Sequence, residues 1–436
     1  MPAHPPRVAI IGGGYAGMAA AVTLTAQRIS VTVYEAGPVL GGRARRVDIN
    51  GVMLDNGLHI LIGAYRETLR LIAKVHPKPA DALLRLPLDW HVHEHLHLRA
   101  PKLPAPLHLA AALLTVKGAS LGESWRAVSM MRSLQATRFK LSQDTTVTAL
   151  LQTHAQGPVL TQHLWKPLCV SALNTPPDRA SAQLFANVLR DGLNADRAGS
   201  DLLIARTDLS ALFPEPAVKY VRARGGEVHT SRRVTAFAPC ASGFQITTGS
   251  NTETFTHVIC ALPPHQVTAF LTGISELAKT TAMIDALAYQ PITSVYLQFD
   301  GSVRLPSPMI GLAGGFSHWL FDREAICCQP GLIGAVISAE GPHLELTQDE
   351  LAARVHDELA SKFGPLPPLK WRRVITEKRA TFSATHGLRR PPQQTPLKNF
   401  WLAGDYTTSD YPATLEAAVR SGIVCAQGIL NDPGAL

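Results

Sequence analysis

The sharpest constraint on the fold lies in the first 35 residues. Val8-Ala9-Ile10-Ile11 is a short unbroken apolar run, the pattern of a strand buried on both faces of a parallel sheet. Gly12-Gly13-Gly14-Tyr15-Ala16-Gly17 follows at once. Small apolar residues then recur at helical spacing through Ala16, Ala19, Ala20, Val22 and Leu24, and a second strand, Val31 to Tyr34, ends at Glu35. Gly12 permits a tight turn, Gly14 lets backbone approach a pyrophosphate, and Gly17 allows close helix packing. The helix N-terminus then faces the anion. Glu35, 18 residues after Gly17, stands where a carboxylate accepts hydrogen bonds from a ribose diol and disfavours a ribose 2′-phosphate. These residues predict a βαβ opening of an α/β domain that binds NAD or FAD.

A chain of 436 residues is too long for one small core, and its pattern changes along its length. From about Lys78, Pro, His and Leu dominate, and Glu123 to Asn187 reads as mostly helical, a different lobe. Phe213 to Arg224 reads as a helix leading through Gly225-Gly226 into strands at Val234 to Phe237, Phe244 to Thr248 and Val258 to Leu262, a return to the first domain. Ser294 to Phe299 and Leu332 to Ser338 are strand-like, Gln348 to Phe363 is amphipathic, Phe400 to Ala403 is a strand and Pro412 to Leu430 a helix. The expected organisation is a discontinuous dinucleotide domain from residues 1–77, 213–268 and 385–436. Into it is inserted a mixed α/β substrate lobe, largely helical over 78–212 and sheet-containing over 269–384.

With 46% hydrophobic and only 17% charged residues, the chain favours a greasy ligand or a membrane surface. The net charge of +8 comes without a basic run interleaved with aromatics, so no nucleic-acid partner is expected. Six cysteines without metal spacing read as reduced thiols in a cytoplasmic compartment. Met1 to Arg7 lacks the apolar core of a signal peptide, and Leu107 to Val116 is about half a membrane span. His91, His93, His95 and His97 alternate, which puts all four on one face of a strand; a solvated face is expected there, and no metal.

Gly41-Gly42-Arg43 with Arg45 resembles the segment that follows the dinucleotide fingerprint in FAD-dependent amine oxidases and phytoene desaturases. Leu402-Ala403-Gly404-Asp405 resembles the same families' strand-terminal Gly-Asp. Tyr411-Pro412-Ala413-Thr414-Leu415-Glu416-Ala417-Ala418 with Ser421-Gly422 resembles their final helix start. The resemblance implies FAD and a Rossmann-like fold. Gly12, Gly14, Ala16, Gly17 and Glu35 would hold the adenine half. Gly42, Arg43, Asn56 and Gly57 would approach the pyrophosphate and flavin. Asp405 after Gly404 would hold the ribityl chain, and Ala413, Thr414 and Leu415 the flavin edge, with Pro412 in the first helical turn. Val234 is the expected backbone contact to adenine.

Leu54-Asp55-Asn56-Gly57-Leu58-His59-Ile60-Leu61-Ile62-Gly63-Ala64-Tyr65-Arg66-Glu67-Thr68-Leu69 is similar to the hydroxysqualene dehydroxylases, the squalene-associated branch of that superfamily. So are Leu103-Pro104-Ala105-Pro106-Leu107-His108-Leu109, Trp165-Lys166-Pro167-Leu168-Cys169, Ala172-Leu173-Asn174-Thr175-Pro176 and Lys378-Arg379-Ala380-Thr381-Phe382. Leu58 departs from the Gln expected before the His. The branch implies reductive removal of an allylic hydroxyl from a C30 isoprenoid, with hydride from flavin N5. It also implies contact with the inner face of the cytoplasmic membrane, for which Leu107 to Lys117 is the expected docking element. Rival expectations are a carotenoid-type desaturase or an amine oxidase-like enzyme, and a non-catalytic isoprenoid-binding protein. Asp55, His59 and Asp410-Tyr411 neighbour the flavin motifs, but none is assigned as proton donor, and the electron donor is unspecified.

Overall fold

A computed structural model describes residues 6–194 and 196–431. Residues 1–5 of the expected leaderless start, and 432–436 of the last expected segment, lie outside the described residues. The apolar run forms β1 (Arg7–Ile11), followed by α1 (Tyr15–Thr25) and β2 (Ser30–Tyr34). Three later strands join them: β3 (Glu227–His229), β4 (His257–Cys260) and β5 (Phe400–Leu402), in the all-parallel order β3-β2-β1-β4-β5. The order reverses between β1 and β4. That is the switch point at which open α/β sheets leave a crevice beyond the strand carboxyl ends.

Side chains alternate along β1. Val8 and Ile10 join one buried cluster with α1 and the final helix α2 (Leu415–Leu430). Ala9 and Ile11 face the other, with Phe244 and Phe255 of an antiparallel meander, Ala236–Cys240, Gly243–Thr248 and Asn251–Phe255. Both faces are covered, so an unbroken apolar strand is required. The turn after β1 needs Gly12: its φ is +113°, and a Cβ would stand 2.6 Å from the Ala261 carbonyl oxygen.

The second layer is a seven-stranded sheet in the order Trp371–Phe382, Tyr289–Gln298, Leu332–Ser338, Trp319–Asp322, Met309–Gly311, Asp89–Val92, Leu96–Arg99. Val295, Leu297, Ile333, Ala335 and Ile337 pack one face against the helix Gln348–Phe363, whose start is fixed by a Thr347/Glu350 capping box. The alternate residues Ile292 and Val336 look into a cavity instead. Between the pairs Gln290/Thr381 and Ile292/Glu377 the register shifts, so that residues 378–380 bulge opposite Pro291. Helices from 107 to 189 cap this sheet, and among the described residues no helix is long and apolar enough to cross a membrane.

Several expectations are corrected. The alternating histidines do not share one strand face, because residues 93–95 turn between two strands, with Glu94 at φ +62°. His91 therefore stacks on His97 across the hairpin at 4.6 Å, while His95 stacks on His163 and His93 packs on Phe363. Pro412 lies outside the final helix, which starts at Leu415 with Thr414 as its cap, the hydroxyl accepting from Ala417 N at 3.1 Å. Val234 precedes rather than begins a strand, since pairing starts at Ala236.

The two ends of the chain meet where α1 crosses α2. A Cβ on Gly422 would sit 2.1 Å from the Ala16 carbonyl oxygen and 3.1 Å from Ala20 N, both backbone atoms. Gly422→Ala must push the helices apart. The expected cost is about 1–3 kcal/mol, read as a lowered denaturation midpoint in guanidinium titrations.

Candidate functional site

A cavity of about 950 Å³ runs from the carboxyl ends of β1, β2, β4 and β5 to the free face of the seven-stranded sheet. Its first half is a cradle of backbone and short side chains. The glycine loop after β1 and the loop at Gly41-Gly42 abut there: Gly41 N donates to Gly13 O at 3.0 Å, and Gly14 bridges Gly41. Glu35 ends β2 with one carboxylate oxygen accepting from Gly13 N at 2.8 Å and the other from Gly37 N at 2.7 Å. That leaves each oxygen a lone pair toward the cavity. Gly12, Gly14, Ala16, Glu35, Gly42, Arg43, Asn56, Gly57, Val234, Gly404, Asp405, Ala413, Thr414 and Leu415 all line the wall. Gly17 lies behind it. A Cβ there would strike Gly12 O at 2.0 Å, so its role is to seat α1 on the turn.

Arg43 crosses the middle of the cavity. Its Nη2 donates to Asp405 Oδ1 at 2.5 Å and its Nη1 to Ala380 O, in the bulge of the large sheet, at 2.6 Å. Burial works against the guanidinium charge, but Asp405 outweighs it and holds Arg43 above its ordinary pKa. Asn56 Nδ2 lies 3.3 Å from Glu377 Oε2, which places that carboxylate on the same wall. Next to Asp405, the Tyr406 hydroxyl is buried without a hydrogen-bond partner, and burial pushes the phenol well above its usual range, so it stays a donor. The paired glycine loops and the Glu35 carboxylate at the end of the cradle fit an extended dinucleotide.

The far half of the cavity is apolar. Leu58, Ile60, Ile292, Trp319, Phe321 and Val336 line it. Trp319 is fixed by Nε1 donating to Ser171 Oγ at 2.8 Å and by an edge contact with Trp90 at 4.6 Å. Leu58, where Gln was expected, packs over Gly334 and Tyr296 and makes the wall greasier there. Asn174 locks the bulge from the cap side. In a left-handed conformation at φ +46°, it donates through Nδ2 to Pro291 O at 3.1 Å and Thr381 Oγ1 at 3.0 Å, and accepts from Ala339 N at 2.6 Å. Thr175 Oγ1 accepts from Ala384 N at 2.9 Å. The segments 172–176 and 378–382, distant in sequence, thus form one seam.

The candidates near the flavin motifs separate. His59 is on the wall, its Nδ1 2.7 Å from Gly57 O, with burial holding the imidazole below its usual pKa. Asp410 and Tyr411 are not on the wall; Asp410 is exposed beside Arg190. Asp55 is off the wall as well. Its Oδ1 accepts from Leu209 N at 2.8 Å, and its backbone carbonyl accepts from the Tyr296 hydroxyl at 2.9 Å. Glu416 is likewise structural: fully buried, it accepts from Glu67 N at 3.1 Å, Thr68 N at 2.9 Å and Thr68 Oγ1 at 2.7 Å, clamping the start of the helix Arg66–Val75. Tyr406, Glu377, Ser171 and Trp319 were not singled out from sequence. Only the neighbouring motifs at Asp405 and Lys378 pointed toward the first two.

Burial pushes Asp55 up from 3.8 to about 7. The folded state therefore binds this proton more tightly than the unfolded chain. The stability it contributes is present below about pH 4 and is lost as pH rises toward 7. Asp55→Asn keeps the acceptor for Leu209 N and cannot ionise. In urea titrations the variant is expected to gain on the native protein by about 2–4 kcal/mol between about pH 5 and pH 8.

The profile of the flavin containing amine oxidoreductase family matches residues 15–430. Hydroxysqualene dehydroxylase of Rhodopseudomonas palustris is 31% identical, covering 97% of this chain and 98% of that one; the same enzyme of Zymomonas mobilis is 30% identical with the same coverage. Zeta-carotene desaturase of Solanum lycopersicum is 25% identical over 98% of this chain and 81% of its own length. Among solved structures, cyclohexylamine oxidase of Brevibacterium oxydans superposes with a TM-score of 0.70 at 16% identity over 98% of both chains, a likeness of fold. The chain is an FAD-dependent oxidoreductase that belongs to the flavin containing amine oxidoreductase family, in the branch of the hydroxysqualene dehydroxylases.

Proposed function

We propose that the chain removes the allylic hydroxyl of hydroxysqualene reductively, giving squalene. The observation that carries this reading is the junction of the cradle with an apolar wall, built where the segments 172–176 and 378–382 interlock. The relatives named hydroxysqualene dehydroxylase, matched over nearly the full chain, support it. FAD held along the cradle supplies, when reduced, the hydride. In the reaction the allylic C–O bond breaks, a proton accompanies the departing oxygen as water, and hydride closes the carbon.

The protein's part is binding, orientation and dryness. Arg43 and Asp405 would position the middle of the cofactor, and the N-terminus of α2 presents Thr414 and Leu415 to it. Ile292, Trp319, Phe321 and Val336 accept the isoprenoid chain and exclude solvent, so an electron-poor allylic carbon meets hydride before water. Trp319, braced by Ser171 and Trp90, adds a π face that tolerates positive charge.

Anaerobic mixing of photoreduced holoprotein with hydroxysqualene tests the assignment: squalene should appear in extracts as the flavin reoxidises. A flavin that stays reduced with no squalene formed would reject it. Separately, Arg43→Lys cannot bond Asp405 and Ala380 O together. It is expected to weaken FAD retention about 10- to 100-fold, measured by fluorescence of flavin released on gel filtration.

A further inference from the structure

The exposed part of the helical cap carries two features that the active site does not use. Of the large apolar side chains that are most exposed, Leu103, Leu107, Leu121 and Trp125 are 40%, 57%, 71% and 57% accessible, and all four fall within 23 residues of sequence. Leu121 and Trp125 are one turn apart on the helix Leu121–Ala136, which packs on the helix Leu107–Leu114. The expected docking stretch from Leu107 to Lys117 is buried through its middle, at His108, Leu109, Ala112 and Leu113; its two ends, Leu107 and Thr115 with Lys117, reach solvent.

The second feature is charge. Between residues 101 and 140 the exposed ionisable side chains are Lys102, Lys117, Arg126, Arg132, Arg138 and Lys140, all positive. None forms a salt bridge among the described residues. The single acid of that stretch, Glu123, is buried, accepting from Ser120 N at 3.2 Å and Val159 N at 2.8 Å. An exposed Trp and leucines among unneutralised cations suit the headgroup layer of an anionic bilayer, where the rings and leucines enter the acyl boundary and the cations meet phosphate. A second copy meeting this face symmetrically would set like charges against each other.

We propose that the cap surface around Leu103, Leu107, Leu121 and Trp125 docks the protein on an anionic lipid bilayer. The purpose assigned to docking rests on the proposed reaction, since a C30 alcohol partitions into lipid and Ser171 and Ala172 of the same cap line the cavity. Docking itself is measured without substrate. Flavin-loaded full chain is floated with vesicles of phosphatidylcholine alone or mixed with phosphatidylglycerol. Binding should require the anionic lipid and fall with salt. Lys102→Glu with Arg126→Glu should weaken it about 25-fold or more, at about fivefold per cation lost. Leu121→Ser with Trp125→Ser should weaken it about tenfold or more while leaving the circular dichroism spectrum unchanged. Both pairs should keep native turnover of hydroxysqualene in non-ionic micelles and lose it on vesicle-borne substrate. Native protein that does not float, or variants that float as well as native, overturn the docking proposal even if micellar turnover is intact. Loss of a dimer in the variants with flotation unchanged would make the face a contact between copies and overturn it too. Flotation that follows the patch while no squalene forms leaves docking standing and rejects only the reaction.

Discussion

One guanidinium joins three parts of this molecule that lie far apart in sequence. Arg43 belongs to the loop after the first βαβ unit, its carboxylate partner Asp405 follows the last strand, and its other acceptor, Ala380 O, sits in the bulge of the substrate sheet. Asp405 is almost wholly buried, so removing Arg43 would leave a desolvated charge, a far larger penalty than the pair gives back in net stability. Such a pair contributes little to the fold's free energy relative to an apolar substitute, yet it fixes the relative placement of three segments. In a site that must present a flat cofactor to a substrate wall, that placement is the useful product.

The same logic explains why residues of the family motif at the C-terminus do structural work apart from any contact with the cavity. Thr414 caps α2, Glu416 clamps the start of the helix Arg66–Val75, and Gly422 allows α1 and α2 to touch through backbone. Each acts on the pose of the α2 N-terminus, whose backbone lines the wall at Leu415. A motif read as cofactor contact is therefore part contact and part scaffold, and burial is what tells them apart: Glu416 is fully enclosed, and its oxygens are all spoken for.

The legible parts of the fold were those with one physical solution. A buried parallel strand followed by a turn at φ +113° admits only an apolar run and a glycine, so β1, α1 and β2 stood plainly in the sequence. The amphipathic pattern marked the helix Gln348–Phe363 equally well, and its start is fixed by the Thr347/Glu350 capping box. The histidine hairpin was hidden because alternation looks the same along one strand as across two, and the positive φ falls on Glu94, not on a glycine or asparagine. The 378–380 bulge was hidden for a related reason: nothing local requires it, and it is held by Asn174 from about 200 residues away. Asp55 looked like a site residue because it borders Asn56 and Gly57. The strand Val52–Asp55 ends there, and Asp55 is buried against Leu209 N while Asn56, just beyond it, reaches the wall.

Cofactor and substrate are thus governed by different kinds of structure. The cradle is made of backbone amides, glycines and two carboxylates, features that recur wherever a dinucleotide must lie along a sheet's carboxyl edge. The wall opposite is made of side chains whose positions depend on long-range contacts: Trp319 on Ser171 and Trp90, Thr381 on Asn174, Leu58 on Gly334. Specificity that rests on such contacts can change while the glycine loops keep their shape; the seam at Asn174 touches the bulge, which meets the cradle through Arg43. Relatives that share the fold at 16% identity yet oxidise an amine fit this division, since an apolar, tightly braced wall suits an isoprenoid chain and the cradle is indifferent to it. On the proposed reading, what decides the fate of the allylic carbon is this wall: by keeping water away, it leaves the hydride of the reduced flavin as the nucleophile within reach.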